Sequence, residues 1–190
     1  PNNTIIHGIP SMSHKLFGEL LVDGHVYNFD GGRGYLQSTW GQHFPSDMVW
    51  LQSNHFNAHG TAISAAVVVV RLPIGSIRMM YCGLLHGGTL YSFASHTGAR
   101  LERFNITDHA VYITYRDRNH RLELMTERRP MVDLPLIEGT DEKLKIPYTA
   151  QAITHIELTA RVGNSVQTIL RGKGQHTALT VHGSIERLMR

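Results

Sequence analysis

Short apolar or alternating stretches, separated by glycine-, asparagine- and proline-containing turns, run the length of this chain, and helical periodicity is hard to find. Residues 16–22 and 25–30 flank Asp23-Gly24, a dipeptide suited to a two-residue hairpin because both central positions of that turn take positive φ. Residues 35–40 and 48–56 flank a second turn at 41–47. The β-branched runs 61–72 and 76–85 are separated by Pro73-Ile74-Gly75, and 84–86 and 89–94 by Gly87-Gly88. Further on, 109–116 alternates cleanly, with Val111, Ile113 and Tyr115 on one face, and 120–127 pairs with it across Asp117-Arg118-Asn119. Residues 153–162 turn at Gly163-Asn164 into 166–170, and 178–188 closes the series. About ten strands at regular spacing predict an all-β, antiparallel sandwich or barrel.

One stretch breaks the rhythm. Residues 128–147 hold Pro130, Pro135 and Pro147, and proline removes ladder donors, so this segment reads as a long loop or lid. No repeat of fixed period and no low-complexity tract interrupts the rest. A chain of 190 residues suits one all-β domain spanning residues 1–190 with a sizeable core. It starts at Pro1, which reads as a fragment or a processed product.

The segment from Tyr35 to Phe56, YLQSTWGQHFPSDMVWLQSNHF, has a different character. It sets Trp40, Phe44 and Trp50 among Gln37, His43, Gln52, Asn54 and His55. Aromatic rings give an apolar wall and amides give a few directed polar groups, the mixture a ligand pocket needs. A plain core strand would not carry so many amides, since each one buried without a partner costs roughly 1–3 kcal/mol. By strand parity, Trp50, Gln52 and Asn54 share one side, where the amides would orient a ligand's oxygen.

The order Tyr35, Trp40-Gly41, Phe44-Pro45, Trp50, Gln52, Asn54, Phe56 resembles the signature of the tocopherol cyclase-like family. Phe29-Asp30-Gly31-Gly32-Arg33-Gly34 before it and Gly183-Ser184-Ile185-Glu186 near the end are also similar to the family pattern. The resemblance implies a lipocalin-like β-barrel with Trp40 and Trp50 lining its interior. It also implies kinship with plant and cyanobacterial proteins that close a chromanol ring on a prenylated hydroquinone. Members are commonly longer, with two barrel-like halves, so the chain could be one half of such a protein. Two departures stand out. Members commonly carry Glu-Lys two and three residues after the tyrosine, where this chain has Gln37-Ser38, and a further aromatic where it has Met48. A glutamine cannot donate a proton to an alkene, so the family's activity does not transfer through Gln37.

Charge and cysteine content narrow the field. The formal net charge is +3 and the lysines are scattered, so no nucleic-acid footprint is indicated. The single cysteine, Cys82, excludes an intrachain disulfide and sits in an apolar run as an inert thiol. The longest apolar run, at 65–70, is strand-sized rather than membrane-spanning, and no signal peptide opens the chain, which makes the cytoplasm the default location. Peripheral contact with a membrane surface and the oligomeric state stay open.

Thirteen histidines invite a metal. His55 and His59 have helical ligand spacing, but on a strand four residues span about 13 Å, too far for one zinc ion. No metal and no cofactor is therefore expected. Asp30-Gly31-Gly32-Arg33-Gly34 lacks the Gly-Lys-Ser/Thr ending of a phosphate loop and reads as a bulge or tight turn. General acid–base chemistry remains, with His43 and Glu186 as candidate proton donors and His55 behind them because its parity opposes Gln52. Glu157 and Glu186 fall in closing strands, where an inward carboxyl would be desolvated and its pKa raised. The expected ligand-binding set is Tyr35, Gln37, Trp40, Phe44, Trp50, Gln52 and Asn54, around a hydrophobic small molecule such as a prenylated quinol or terpenoid. Two function classes compete at this point, a cyclase or hydratase and a non-catalytic carrier or sensor. A scaffold role is a third class, favoured only if the barrel is filled by its own side chains.

Overall fold

The computed structural model describes residues 6–40, 45–72, 75–138 and 142–190, without the side chains of 6, 71, 72, 136–138 and 142–144. Among the described residues, fifteen strands are β1 (Ile6–Lys15), β2 (Glu19–Val22), β3 (His25–Asn28), β4 (Arg33–Trp40), β5 (Asp47–Ser53), β6 (His55–Phe56), β7 (Thr61–Leu72), β8 (Gly75–His86), β9 (Thr89–Ala94), β10 (Arg100–Ile106), β11 (Ala110–Arg116), β12 (His120–Glu127), β13 (Val132–Glu138), β14 (Glu142–Val162) and β15 (Ser165–His182). A short helix, α1 (Ile185–Met189), follows them. The main sheet runs β10-β11-β12-β14-β15-β5-β7-β8-β9, with β13 added to β14 and β6 to β15, and its ladders are antiparallel. The all-β, antiparallel expectation is met.

Alternation decides which side of this sheet is core. Val49 and Leu51, Ile63, Ala65 and Val67, Cys82 and Leu84, Leu122, Leu158 and Leu179 are all at most 1% exposed. The sheet curls over this face until its ends approach each other: the Phe93 and Tyr115 ring centroids are 6.0 Å apart, and the Tyr115 hydroxyl donates to the Tyr81 carbonyl. Among the described residues no ladder joins β9 to β10, so the barrel-like curl is not closed by hydrogen bonds. Side chains fill the concave face, as in a small barrel. The aromatic–amide segment does not open into it, so the expectation of a ligand inside the barrel is corrected, and the candidate ligand face of this segment is the outer one.

Two ribbons stand apart from the main sheet, β1 with β4 and β2 with β3. Met12 of β1 reaches over Gly83 of β8, placing the first ribbon against the outer face of the sheet. Asp23 turns β2 into β3 with φ 49°, followed by Gly24 at 79°, the positive pair the turn requires.

The segment at 128–147 corrects the loop expectation. Val132–Glu138 and Glu142–Tyr148 pair residue for residue as a hairpin. Its prolines are tolerated because β13 is an edge strand, and Pro147 precedes the point at which β14 gains β15 as a second partner. Among the described residues, no helix is long and apolar enough to cross a membrane.

Candidate functional site

The outer face of β5, β7 and β8 carries Trp50 and Gln52, Ser64 and Ala66, and Tyr81 and Gly83, brought into register by the ladders Gln52↔Ser64↔Gly83 and Trp50↔Ala66↔Tyr81. Tyr35 and Gln37 reach it from β4, and His7 from β1. Most of these groups are half-buried, forming a polar shelf partly open to solvent.

Its hydrogen bonds converge on Gln37 and Ser64. The Gln37 Oε1 accepts from the Tyr35 hydroxyl at 2.6 Å and from the Trp50 indole N–H at 3.1 Å. Tyr35 also lies 2.9 Å from Ser64 Oγ. A phenol has one proton to give, so with Tyr35 donating to Gln37, Ser64 donates to Tyr35. Gln37 thus accepts two donors at one oxygen, using both lone pairs of its carbonyl.

Beside this chain, His7 stacks on Tyr81 with ring centroids 4.5 Å apart, and its Nδ1 meets Thr39 Oγ1 at 2.8 Å. The other ring nitrogen, Nε2, has no partner among the described residues, and neither do Tyr81 Oη and Gln52 Nε2, although all three atoms are buried. Unpartnered buried polar atoms are uncommon and call for an explanation. Burial pushes the Tyr81 phenol well up, offset only in part by Ser64 and Trp50 nearby, and pushes the Tyr35 phenol up to about 12. Burial lowers His7. Near neutral pH the shelf therefore presents neutral phenols and a neutral imidazole.

The sequence-derived site divides accordingly. Tyr35, Gln37, Trp50 and Gln52 are brought together. Asn54 lies past the end of β5 and is 4% exposed; its amide N–H donates to the Gly34 carbonyl at 3.1 Å, so it ties β4 to the sheet rather than facing a ligand. Trp40 is corrected: it is 55% exposed, as is Leu36 at 53%, because even-numbered positions of β4 point away from the shelf that Tyr35 and Gln37 face. His43 and Phe44 lie outside the described residues.

Glu186 is also corrected. It sits exposed in the first turn of α1, not inward on a closing strand, since the chain leaves β15 at His182. What the Gly183–Glu186 segment builds is a latch. Asp47, fully buried, accepts from the Ser184 N–H at 2.6 Å and from Arg187 at 2.7 and 2.9 Å. The Arg187 guanidinium holds the Asp47 carboxyl well below the usual carboxylate range. Gly183 has φ 81°, and a Cβ there would lie 2.4 Å from Asp47 Oδ1 and from the Ser46 carbonyl, so the close approach requires glycine. Glu157 is half-buried and accepts from Arg171 at 2.8 and 3.0 Å. It lines an open, charged groove of about 560 Å³ with Arg103, Tyr112, Glu123 and His155, on the outside of the opposite end of the sheet and away from the shelf.

Sequence reasoning missed His7 and Tyr81. Tyr81 lies in an apolar run that reads as plain core strand, and only its parity with Gly83, opposite to Cys82 and Leu84, could have placed it on the outer face.

An antiparallel all-β sheet bearing a tyrosine–glutamine–tryptophan shelf is the class defined so far. The chain belongs to the tocopherol cyclase-like family, whose model matches residues 11–183. No curated protein matches it significantly. A solved structure, CghA with Sch210972, is similar at a TM-score of 0.48 and 11% sequence identity, covering 87% of this chain and 50% of that one. The chain thus spans about half the length of that protein.

Proposed function

We propose that the protein binds a hydrophobic prenylated quinol or terpenoid on the shelf beneath the β1–β4 ribbon and promotes its cyclisation or hydration by proton transfer. The observation that carries this reading is the gathering of Tyr35, Gln37 and Trp50 of the family signature, with Tyr81, Gln52 and His7 presenting unpartnered polar atoms beside them. When the Nδ1–H of His7 donates to Thr39, Nε2 is left as an acceptor for a ligand hydroxyl proton, while the Tyr81 O–H and the Gln52 amide are donors toward the ligand oxygen. In ring closure the hydroxyl oxygen bonds to one alkene carbon, a proton adds to the other, and the hydroxyl proton leaves to the base. The step is an isomerisation that needs no oxidant.

The phenols of the shelf are too weakly acidic to protonate an alkene, so the donor is sought at His43. Replacing a working acid or base should lower turnover by about 10²–10⁴-fold with little change in affinity. The assay is chromanol formation or alkene hydration from a prenyl quinol, for wild type, His7→Gln and His43→Ala. Loss of turnover in either variant with binding retained supports the enzyme. Binding by all three proteins with no turnover in any supports a carrier, the reading favoured by Gln37 standing where members commonly hold Glu. No binding by the wild type overturns both.

A further inference from the structure

A second cluster lies at the other end of β4, where Arg33, His55 and His176 meet. The Arg33 Nη1 donates to the carbonyl of Asn54 at 2.9 Å, which fixes the guanidinium beside the residue preceding His55. The His55 and His176 rings meet edge to face with centroids 5.5 Å apart. Their backbones are tied through buried Ser53, whose hydroxyl donates to the Gln175 carbonyl at 2.8 Å and accepts from the His55 N–H at 3.2 Å. His55 also pairs with Gln175 in the β6–β15 ladder.

Arg33, His55 and His176 are exposed, and two features bear on what they can hold. Of the other described arginines, Arg116, Arg121, Arg129, Arg171 and Arg187 are paired with carboxylates, while Arg78, Arg128 and Arg161, like Arg33, donate to backbone carbonyls. Among the described residues no carboxylate pairs with Arg33, His55 or His176. In addition, His176 has φ 50° in the middle of β15, the left-handed region that a β-strand residue without a glycine's freedom adopts at a cost. Asp23, the other described non-glycine residue with positive φ, occupies a hairpin turn that calls for it. At His176 the β14–β15 register slips between Ala152↔Thr177 and Thr154↔Gly174, so the residue sits in a β-bulge, a setting in which one residue takes the left-handed conformation. The conformation breaks the alternation of β15 and lays the imidazole against His55.

We propose that Arg33, His55 and His176 form a binding site for a phosphate group. A guanidinium and two imidazole N–H groups, held by buried backbone links and lacking a protein carboxylate, suit an oxyanion with several acceptor oxygens. Burial, and then the neighbouring His176 and Arg33, hold His55 below its usual value, so a bound dianion would draw a proton onto the His55 imidazole. The phosphate could belong to a soluble ester or to a lipid headgroup, and the chemistry of recognition is the same for both.

The test titrates the intact protein with inorganic phosphate at constant ionic strength, following the imidazole resonances by NMR, with chloride as control. A parallel arm measures co-sedimentation with phosphatidylcholine vesicles, with and without phosphatidic acid. Saturable shifts of His55 and His176 with free phosphate assign a soluble ligand. Binding only to vesicles containing phosphatidic acid assigns a headgroup. In either case Arg33→Gln and His176→Gly should weaken binding about tenfold or more. His176→Gly is the decisive variant because glycine relieves the backbone strain: its melting temperature should hold or rise while binding falls. Shifts identical with chloride and no vesicle binding, or full affinity in His176→Gly, would overturn the proposal.

Discussion

Strands β5, β7 and β8 have two faces built from alternate residues of the same short segments, and the two faces obey different rules. On the inner one, Val49, Leu51, Ile63, Ala65, Val67, Cys82 and Leu84 are packed with almost no exposure. On the outer one, Trp50, Gln52, Ser64 and Tyr81 are joined by Tyr35, Gln37 and His7 in a half-open polar network in which three buried atoms have no partner among the described residues. The inner face is saturated. The outer face has hydrogen-bonding capacity to spare, and binding uses capacity of that kind. Stability and recognition therefore sit one residue apart along each strand.

The largest effect expected from this contrast is on the inner face. Leu51→Ala should cost about 2–5 kcal/mol in urea denaturation, because the closely packed neighbours cannot fully collapse into the space. A loss below about 1 kcal/mol would mean that the inner face is not the tight core described.

Asp47 shares the inner parity and tests the same side through charge. Asp47→Asn should cost roughly 1–3 kcal/mol, all of it from the buried side of the latch, since the Arg187 side is half-exposed and screened. The sign follows from the direction of the shift. The carboxyl pKa is lower in the folded state, so its stabilisation is present above the unfolded value, near 3.9, and is lost as pH falls below it. Wild type should lose more stability than Asp47→Asn between pH 5 and pH 3. Parallel pH profiles would remove the latch from the account.

On the outer face, Gln37→Leu leaves the Tyr35 hydroxyl and the Trp50 N–H without their acceptor and should cost about 1–2 kcal/mol. The smallest effect belongs to Gln52→Ala. Its Nε2 has no partner to lose, so stability should stay within about 0.5 kcal/mol of wild type while quinol affinity drops several-fold. If Gln52→Ala destabilised the protein as much as Leu51→Ala, the division between the faces would fail.

Much of the fold was legible because turn chemistry and alternation agree. Residues 61–72, 89–94 and 120–127 are strands with the expected bounds, and Asp23-Gly24 makes its hairpin. The misreadings came where tertiary contacts override local signals. The expected strands 166–170 and 178–188 leave 171–177 between them, yet β15 runs through Gly172 and Gly174, where the Phe56 ring takes the space a Cβ would need, 2.8 Å away at Gly174. The prolines of the β13–β14 hairpin looked like a loop because sequence does not reveal which strand will be an edge. In the candidate site, parity put Trp50 and Gln52 on one face, but that is the outer face of the sheet. The expectation that Trp50 lines the barrel interior is therefore corrected along with that for Trp40, which parity applied to β4 would have turned outward. His7 and Tyr81 were invisible for another reason: their proximity depends on the β1–β4 ribbon lying across the sheet, which no local pattern encodes.

The β15–β5 ladder has a consequence for how the chain reaches this state. Each side of it is a meander of neighbours in sequence, β5-β7-β8-β9 on one and β10-β11-β12-β14-β15 on the other, and their hairpins can form early with little loop-closure cost. The seam between them joins residues 48–52 to 178–182 and is locked by Asp47–Arg187 hydrogen bonds spanning 140 positions. The centre of the sheet is thus made from segments remote in sequence, and on the ribosome it can form only after His182 has emerged. Until then the edge of β5 waits unpaired, as an aggregation hazard that a chaperone would have to cover.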